Sequence, residues 1–159
     1  MNTSSNAELR NARVRDKNRV FMRIAWELSA LSTCDRKYVG AVIIRDGRCI
    51  SWGFNGAPPG MLHCDQNNHG WYDAPYHDDK KLSCRNATHA EANSLAFAAR
   101  QGISTDKGIL YVTVSPCDVC ARLLIAAGIS KVFYDEEYRL PAGRELLVKG
   151  GVEVTQIGV

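Results

Sequence analysis

From Ile109 onward the chain alternates short apolar runs with helical ones, and this alternation constrains its fold more than any other feature. Ile109–Val114 is a buried-strand pattern. Pro116 at a first helical position opens a helix to Ala127, which Gly128 stops. Lys131–Tyr134 then reads as a short strand, Glu145–Lys149 as a short helix and Val152–Gln156 as a last strand. Strands separated by helices predict an α/β sheet with helices on its faces.

The upstream half supplies the rest of that architecture. Between Arg15 and Leu31 the apolar residues Val20, Phe21, Ile24, Ala25, Leu28 and Leu31 recur at helical spacing. Six basic residues between Arg10 and Arg23 lie on or just before this helix, and they suit a solvated face or a phosphate patch. Tyr38–Arg45 and Arg48–Phe54 flank Asp46-Gly47, a strong hairpin signal because a type I′ turn needs positive φ. Thr88 is placed to cap a helix that ends at Gln101, with Gly102 as its stop. Between them, residues 53–85 hold Gly, Pro, Asn and Asp, three of the four histidines and two cysteines, with little periodicity. So long a loop inside a compact domain is usually functional, and one with few apolar side chains suggests a metal.

A chain of 159 residues reads as one domain, 1–159, and at that size folding buries roughly 68–70% of the unfolded surface. No run approaches the ~18 apolar residues of a membrane span. The polar stretch Met1–Arg19 lacks the apolar core of a signal peptide, so the expected location is the cytoplasm. The net charge of +3 is thin for binding a polyanion. In a reducing compartment, the six cysteines Cys34, Cys49, Cys64, Cys84, Cys117 and Cys120 point to metal or catalysis rather than disulfides. Cys49, inside a strand, is expected to be a small buried hydrophobe.

Two segments carry the chemistry. Cys117 and Cys120 stand one turn apart where a strand becomes a helix, and the helix dipole favours the thiolates that zinc requires. His89 adds a third ligand, and three protein ligands leave one tetrahedral position for water, the mark of a catalytic zinc. Glu91, two residues on, can enter the same pocket and move protons without occupying the metal.

His89-x-Glu91 with Pro116-Cys117-x-x-Cys120 resembles the zinc-dependent cytidine deaminase superfamily, for which this is a known signature. The resemblance implies a three-layer α/β/α fold with a mixed five-stranded sheet. It also implies hydrolytic attack at C4 of a cytosine ring, with Glu91 protonating N3 and then the departing amine.

From about Val20 to Val154 the resemblance narrows to the deoxycytidylate (dCMP) deaminases. It rests on Val39–Ile43, Gly53–Gly60, His89–Asn93, Phe97–Arg100, Tyr111–Thr113 and Ser115–Cys117. Phe54 stands where that family usually has Tyr. The resemblance implies conversion of dCMP to dUMP, which feeds thymidylate synthesis. Asn55 would bond the sugar, the backbones of Ala90 and Ser115 would read the pyrimidine edge, and Tyr134 would flank the ring. Family members are typically homo-hexamers activated by dCTP and inhibited by dTTP, with Mg2+ on the triphosphate. The corresponding regulator-binding residues are Gly53, Asn55, Gly56 and Gly60, with Phe97 and Arg100 at subunit contacts.

Phage and bacterial members carry a second zinc site, and Cys34, Cys64, His69 and Cys84 resemble its ligands. His77 and His63 compete with His69 for the fourth place. Such a site would supply folding energy to a loop that lacks a core. The nearest alternative within this chemistry is a dCTP or dual dCMP/dCTP deaminase. From other classes, a zinc-stabilised binding module without catalysis conflicts with an intact Glu91. A Cys-x-x-Cys oxidoreductase would tolerate loss of that carboxylate. A polynucleotide substrate is disfavoured by the weak charge.

Overall fold

A computed structural model describes residues 3–64, 66, 71–72, 83–84 and 86–158. In chain order the elements are α1 (Thr3–Ser29), β1 (Gly40–Arg45), β2 (Arg48–Phe54), β3 (Trp71–Tyr72), β4 (Ser83–Cys84) and α2 (Ala90–Arg100). They continue with β5 (Ile109–Val114), α3 (Asp118–Ala126), β6 (Lys131–Glu136), α4 (Ala142–Lys149) and β7 (Glu153–Gln156). Five strands form one sheet in the order β2-β1-β5-β6-β7. The β1–β2 and β1–β5 pairs are antiparallel, whereas β5–β6 and β6–β7 are parallel, so the expected mixed sheet is present.

Alternation along the strands builds a core on each face. Ala41, Ile43, Leu110, Val112, Val132 and Tyr134 point toward Ala90, Ala121, Leu124 and Leu147 of the three helices α2–α4. Val42, Ile44 and Tyr111 point the other way, onto Met22 and Ala25 of α1. The chain is therefore a three-layer α/β/α structure. Two polar contacts fix α1 on its face: Trp26 Nε1 donates to Asp135 Oδ2 at 2.8 Å, and Tyr111 OH donates to Asn18 Oδ1 at 2.8 Å. Gly40 is needed where α1 crosses β1, since a Cβ there would run into the Ala25 carbonyl.

The hairpin turn is as expected, with Asp46 at φ 52° and Gly47 at φ 74°. A bulge shifts the β1–β2 register between Ile43 and Ile44, so that Ile44 faces Cys49 while Ile43 faces Ser51. Beside it Cys49 is exposed, which corrects its expected burial.

Helix boundaries differ from the sequence reading where backbone packing, rather than periodicity, decides. Helix α1 begins at Thr3, well before the apolar stripe, and ends at Ser29. Helix α4 begins at Ala142, and its Gly143 lies against the Pro116 and Cys117 backbone, where a side chain would not fit. Pro116 precedes the cap of α3, which is Cys117. His89 rather than Thr88 is the cap residue of α2, and Thr88 instead forms a β-bridge with Gly56. No described helix is long and apolar enough to cross a membrane.

Candidate active site and metal centres

The site lies beyond the carboxyl end of β5, where ligands gather in α/β sheets. Strand β5 leads through Ser115 and Pro116 to Cys117, whose extended backbone turns the chain into α3. Its sulfur accepts the Cys120 N–H at 3.5 Å. His89 turns the chain into α2 in the same way, with φ −72° and ψ 152°. The two helix starts face each other, which brings His89 Nδ1 to 3.5 Å from Cys117 Sγ and 3.4 Å from Cys120 Sγ.

These distances fit a tetrahedral zinc. Bonds of about 2.3 Å to sulfur and 2.0–2.1 Å to nitrogen place such ligand atoms about 3.6 Å apart. Of the three groups, Cys117 is already inclined toward the thiolate that zinc requires. A hydrogen bond with Cys120, reinforced by His89, holds the Cys117 thiol down at about 4. His89, bonded to that sulfur, is raised to about 9, and Cys120 is pushed up by Cys117 and by burial.

Glu91, in the first turn of α2, is buried, with 4% of its surface exposed. Burial pushes its carboxyl above the usual carboxylate range, while the charge of His89 opposes the shift. It lines the same cavity, of about 610 Å3, as the three ligands, a size that suits a nucleotide.

The expected substrate residues fall in two groups. Asn55, Ala90 and Ser115 line this cavity. The Asn55 side chain donates to the Lys37 carbonyl at 2.7 Å and accepts the Val39 N–H at 2.8 Å, so it also fixes the cavity wall. Ser115 donates its N–H to the Glu136 carbonyl at 2.8 Å. Tyr134 is not brought to the cavity. It is 5% exposed in the core, where its hydroxyl accepts from Arg144 Nη1 at 3.2 Å. Its even position on β6 turns it inward beneath α4.

The cavity's aromatic wall is Tyr138, two residues beyond β6, and Arg36, Lys37 and Arg139 stand with it. Sequence reasoning missed these four. The run Glu136-Glu137-Tyr138-Arg139 follows a strand on the catalytic edge of the sheet, and that position was the available signal. Ser115 Oγ accepts the Tyr138 N–H at 2.8 Å, which ties the run to the metal-bearing turn.

A second cluster stands beside the first. The thiols of Cys34, Cys64 and Cys84 lie within 4.8 Å of one another, with Cys64 and Cys84 at 3.6 Å. Two sulfurs on one tetrahedral zinc are separated by about 3.8 Å. Burial pushes the Cys34 thiol up and the Cys64 thiol up to about 12. His63 is exposed and outside this cluster. His69 and His77 lie outside the described residues.

Gly53, Gly56 and Gly60 are spaced along the segment from β2 toward Cys64. At Gly53 a side chain would collide with the Ala90 carbonyl and the Ser94 amide of α2. Gly60 has φ 88°. Phe97 is 41% exposed and its ring centroid lies 6.0 Å from that of the half-exposed Trp52, while Arg100 closes α2.

A three-layer α/β/α domain with a His-Cys-Cys metal triad and a carboxyl buried beside it defines the class of metal-dependent hydrolytic deaminases. Residues 15–136 match the family model of the cytidine and deoxycytidylate deaminase zinc-binding region. The ComE operon protein 2 of Bacillus subtilis is 38% identical over 141 residues, covering 88% of this chain and 70% of that protein. The deoxycytidylate deaminase of Enterobacteria phage T2 is 33% identical over 168 residues, covering 86% and 89%. Among solved structures, the dCMP deaminase from the cyanophage S-TIM5 in complex with dCMP and dUMP aligns with a TM-score of 0.74 at 32% identity. That alignment covers 87% of this chain and 95% of the other. The chain belongs to the family of zinc-binding cytidine and deoxycytidylate deaminases.

Proposed function

We propose that the chain hydrolyses dCMP to dUMP and ammonia. The observation that carries this reading is the buried Glu91 carboxyl in one cavity with His89, Cys117 and Cys120. These three residues would hold zinc, which supplies a water acidic enough to ionise near neutral pH. Glu91, buried in the same cavity, would take up a proton and hand it to N3 of the cytosine ring. It then carries the second proton to the 4-amino group, which leaves as ammonia while C4 gains the oxygen of uracil.

Other groups hold the ring for these transfers. Ala90 is the first residue of α2, so its N–H has no acceptor within the helix and is suited to the ring carbonyl at C2. Ser115 spends its N–H on Glu136, and its carbonyl is the group suited to accept from the 4-amino group. Tyr138 flanks the base and Asn55 contacts the sugar. Arg36 and Arg139 line the cavity with Lys37, which also pairs with Glu136 at 2.9 Å, and these cations support a nucleotide in preference to a nucleoside.

The Cys34, Cys64 and Cys84 thiols hold a second zinc, with His69 as the fourth ligand. Their mutual distances support this reading. The family resemblance of the Gly53–Gly60 segment supports binding of dCTP as activator and dTTP as inhibitor, each with Mg2+. The paired exposed rings of Trp52 and Phe97 support a subunit contact in a homo-hexamer. A mononucleotide substrate suits the cytoplasm.

The test is loss of cytosine absorbance with dCMP, dCTP, deoxycytidine and a cytosine-containing oligonucleotide, with and without dCTP or dTTP as effector. dCMP should be turned over with the highest kcat/KM. Failure to turn over any mononucleotide would overturn the reading, and preference for dCTP would move it to the triphosphate.

A further inference from the structure

The two metal clusters are joined by one short segment, and the joint passes through Thr33. Thr33 N–H donates to the Asn55 carbonyl at 3.3 Å, and Thr33 Oγ1 accepts the Ala57 N–H at 2.9 Å. On its other side the Thr33 carbonyl accepts the Cys64 N–H at 3.2 Å, and its chain neighbour is Cys34. Ser32 Oγ strengthens the same joint, donating to the carbonyls of Asn55 and Cys34 at 2.8 and 3.1 Å. Between Asn55 and Ala57, Gly56 exchanges two backbone hydrogen bonds with Thr88, the residue before His89. A side chain at Gly56 would overlap Thr33 Oγ1, so the contact is as close as a residue without Cβ permits.

Beyond Ala57 the described side chains give the segment little apolar anchorage. Pro58 and Pro59 contribute no amide donors, and Met61 and Leu62 are 50% and 62% exposed, so apolar burial does not anchor it. Hydrogen bonds hold it instead: Asn55 bonds Lys37 and Val39 at the cavity wall, and from there the segment is tied to Thr33 on one side and to Thr88 on the other. Through Thr33, a displacement of Cys34 or Cys64 is passed to the backbone of Asn55 and Ala57, and a displacement of that backbone is passed to the cysteines.

We infer that Thr33 is a positioning residue that couples occupancy of the Cys34–Cys64–Cys84 cluster to nucleotide binding in the catalytic cavity. The inference rests on the reading of that cluster as a zinc site. Coupling of this kind is reciprocal in affinity: a metal that orders the segment tightens nucleotide binding, and a nucleotide held by Asn55 tightens metal binding by the same factor, which should read as slower metal release.

Zinc release from the holoenzyme to a coloured chelator, with and without saturating dUMP, tests this without relying on turnover. The phase belonging to the cysteine cluster is the one missing in Cys84→Ser. In the wild type dUMP should slow that phase at least about fivefold. Thr33→Val keeps the shape of the side chain but removes the acceptor for Ala57 N–H. It should abolish the slowing and raise KM for dCMP about tenfold at nearly unchanged kcat. Thr33→Ser should restore both. Two zinc ions per chain with no effect of dUMP on the cluster phase would overturn the coupling while leaving the second zinc intact. The same slowing in Thr33→Val would remove Thr33 from it. One zinc per chain would overturn the zinc reading of the cluster and the coupling with it. Should Thr33→Val fail to fold, Thr33→Ala, which also lacks the acceptor for Ala57 N–H, takes its place with the same two readouts: loss of the slowing supports Thr33 as the joint, and retained slowing removes Thr33 from it.

Discussion

Gly56 and Thr88 exchange both backbone hydrogen bonds, at 3.1 and 2.8 Å, so the segment that carries Asn55 is fastened to the residue before His89. A loop residue and a metal ligand 33 positions along the chain are thereby held in one small frame. The frame depends on the absence of a side chain at Gly56, where a Cβ would meet both Thr33 Oγ1 and the Thr33 amide. Gly56→Ala should cost about 1–3 kcal/mol through overpacking, which lowers Tm by roughly 2–10 °C. KM for dCMP should rise with it. A thermal scan together with steady-state kinetics checks both, and an unchanged Tm would contradict the close contact.

The cavity wall supplies a contrast between two tyrosines. Tyr138 lines the cavity, whereas Tyr134 lies in the core and holds Arg144. Tyr138→Ala should raise KM for dCMP by about tenfold, the loss of one base-stacking contact. Tyr134→Phe removes only a hydroxyl remote from substrate and should leave KM within a factor of two, while lowering stability by about 1 kcal/mol. The reverse pattern in steady-state kinetics would place the substrate against Tyr134.

The His89–Cys117–Cys120 triad and the Cys34–Cys64–Cys84 cluster should separate by mutation. Elemental analysis of the wild type should return two zinc ions per chain, and Cys84→Ser should return one. Loss of the second ion should lower Tm, because metal bound to the native state alone stabilises it by mass action. Cys117→Ser should also return one ion, but with turnover abolished. If Cys84→Ser kept the wild-type zinc content, Cys84 would not be a ligand.

Much of this was legible in the sequence, for reasons that differ from element to element. The β5–α3–β6 unit announced itself because its apolar run and Gly128 obey local rules. The His89 and Cys117–Cys120 triad was legible because metal ligands need particular side chains at particular spacings. Tyr138, Arg36, Lys37 and Arg139 were not, because they meet only when the loop after α1 is folded against the loop after β6. Tyr134 was misplaced for the complementary reason: an aromatic near the catalytic edge suits substrate, but strand parity turned it inward. Thr88 looked like a cap on local grounds, and the bridge to Gly56, 32 residues earlier, overrode that preference. Cys49 looked buried until the bulge at its side altered the register of β2.

The measurement that tests the account most directly is turnover of dCMP by Glu91→Gln, beside the wild type at equal zinc content. The substitution keeps the shape of the side chain and removes its ability to carry a proton. Zinc content should be unchanged and Tm should match or exceed that of the wild type, since a buried carboxyl is replaced by a neutral amide. The kcat should fall by about 10²–10⁴. A variant that bound zinc and retained turnover within a few-fold of the wild type would contradict the role of Glu91 as the proton carrier.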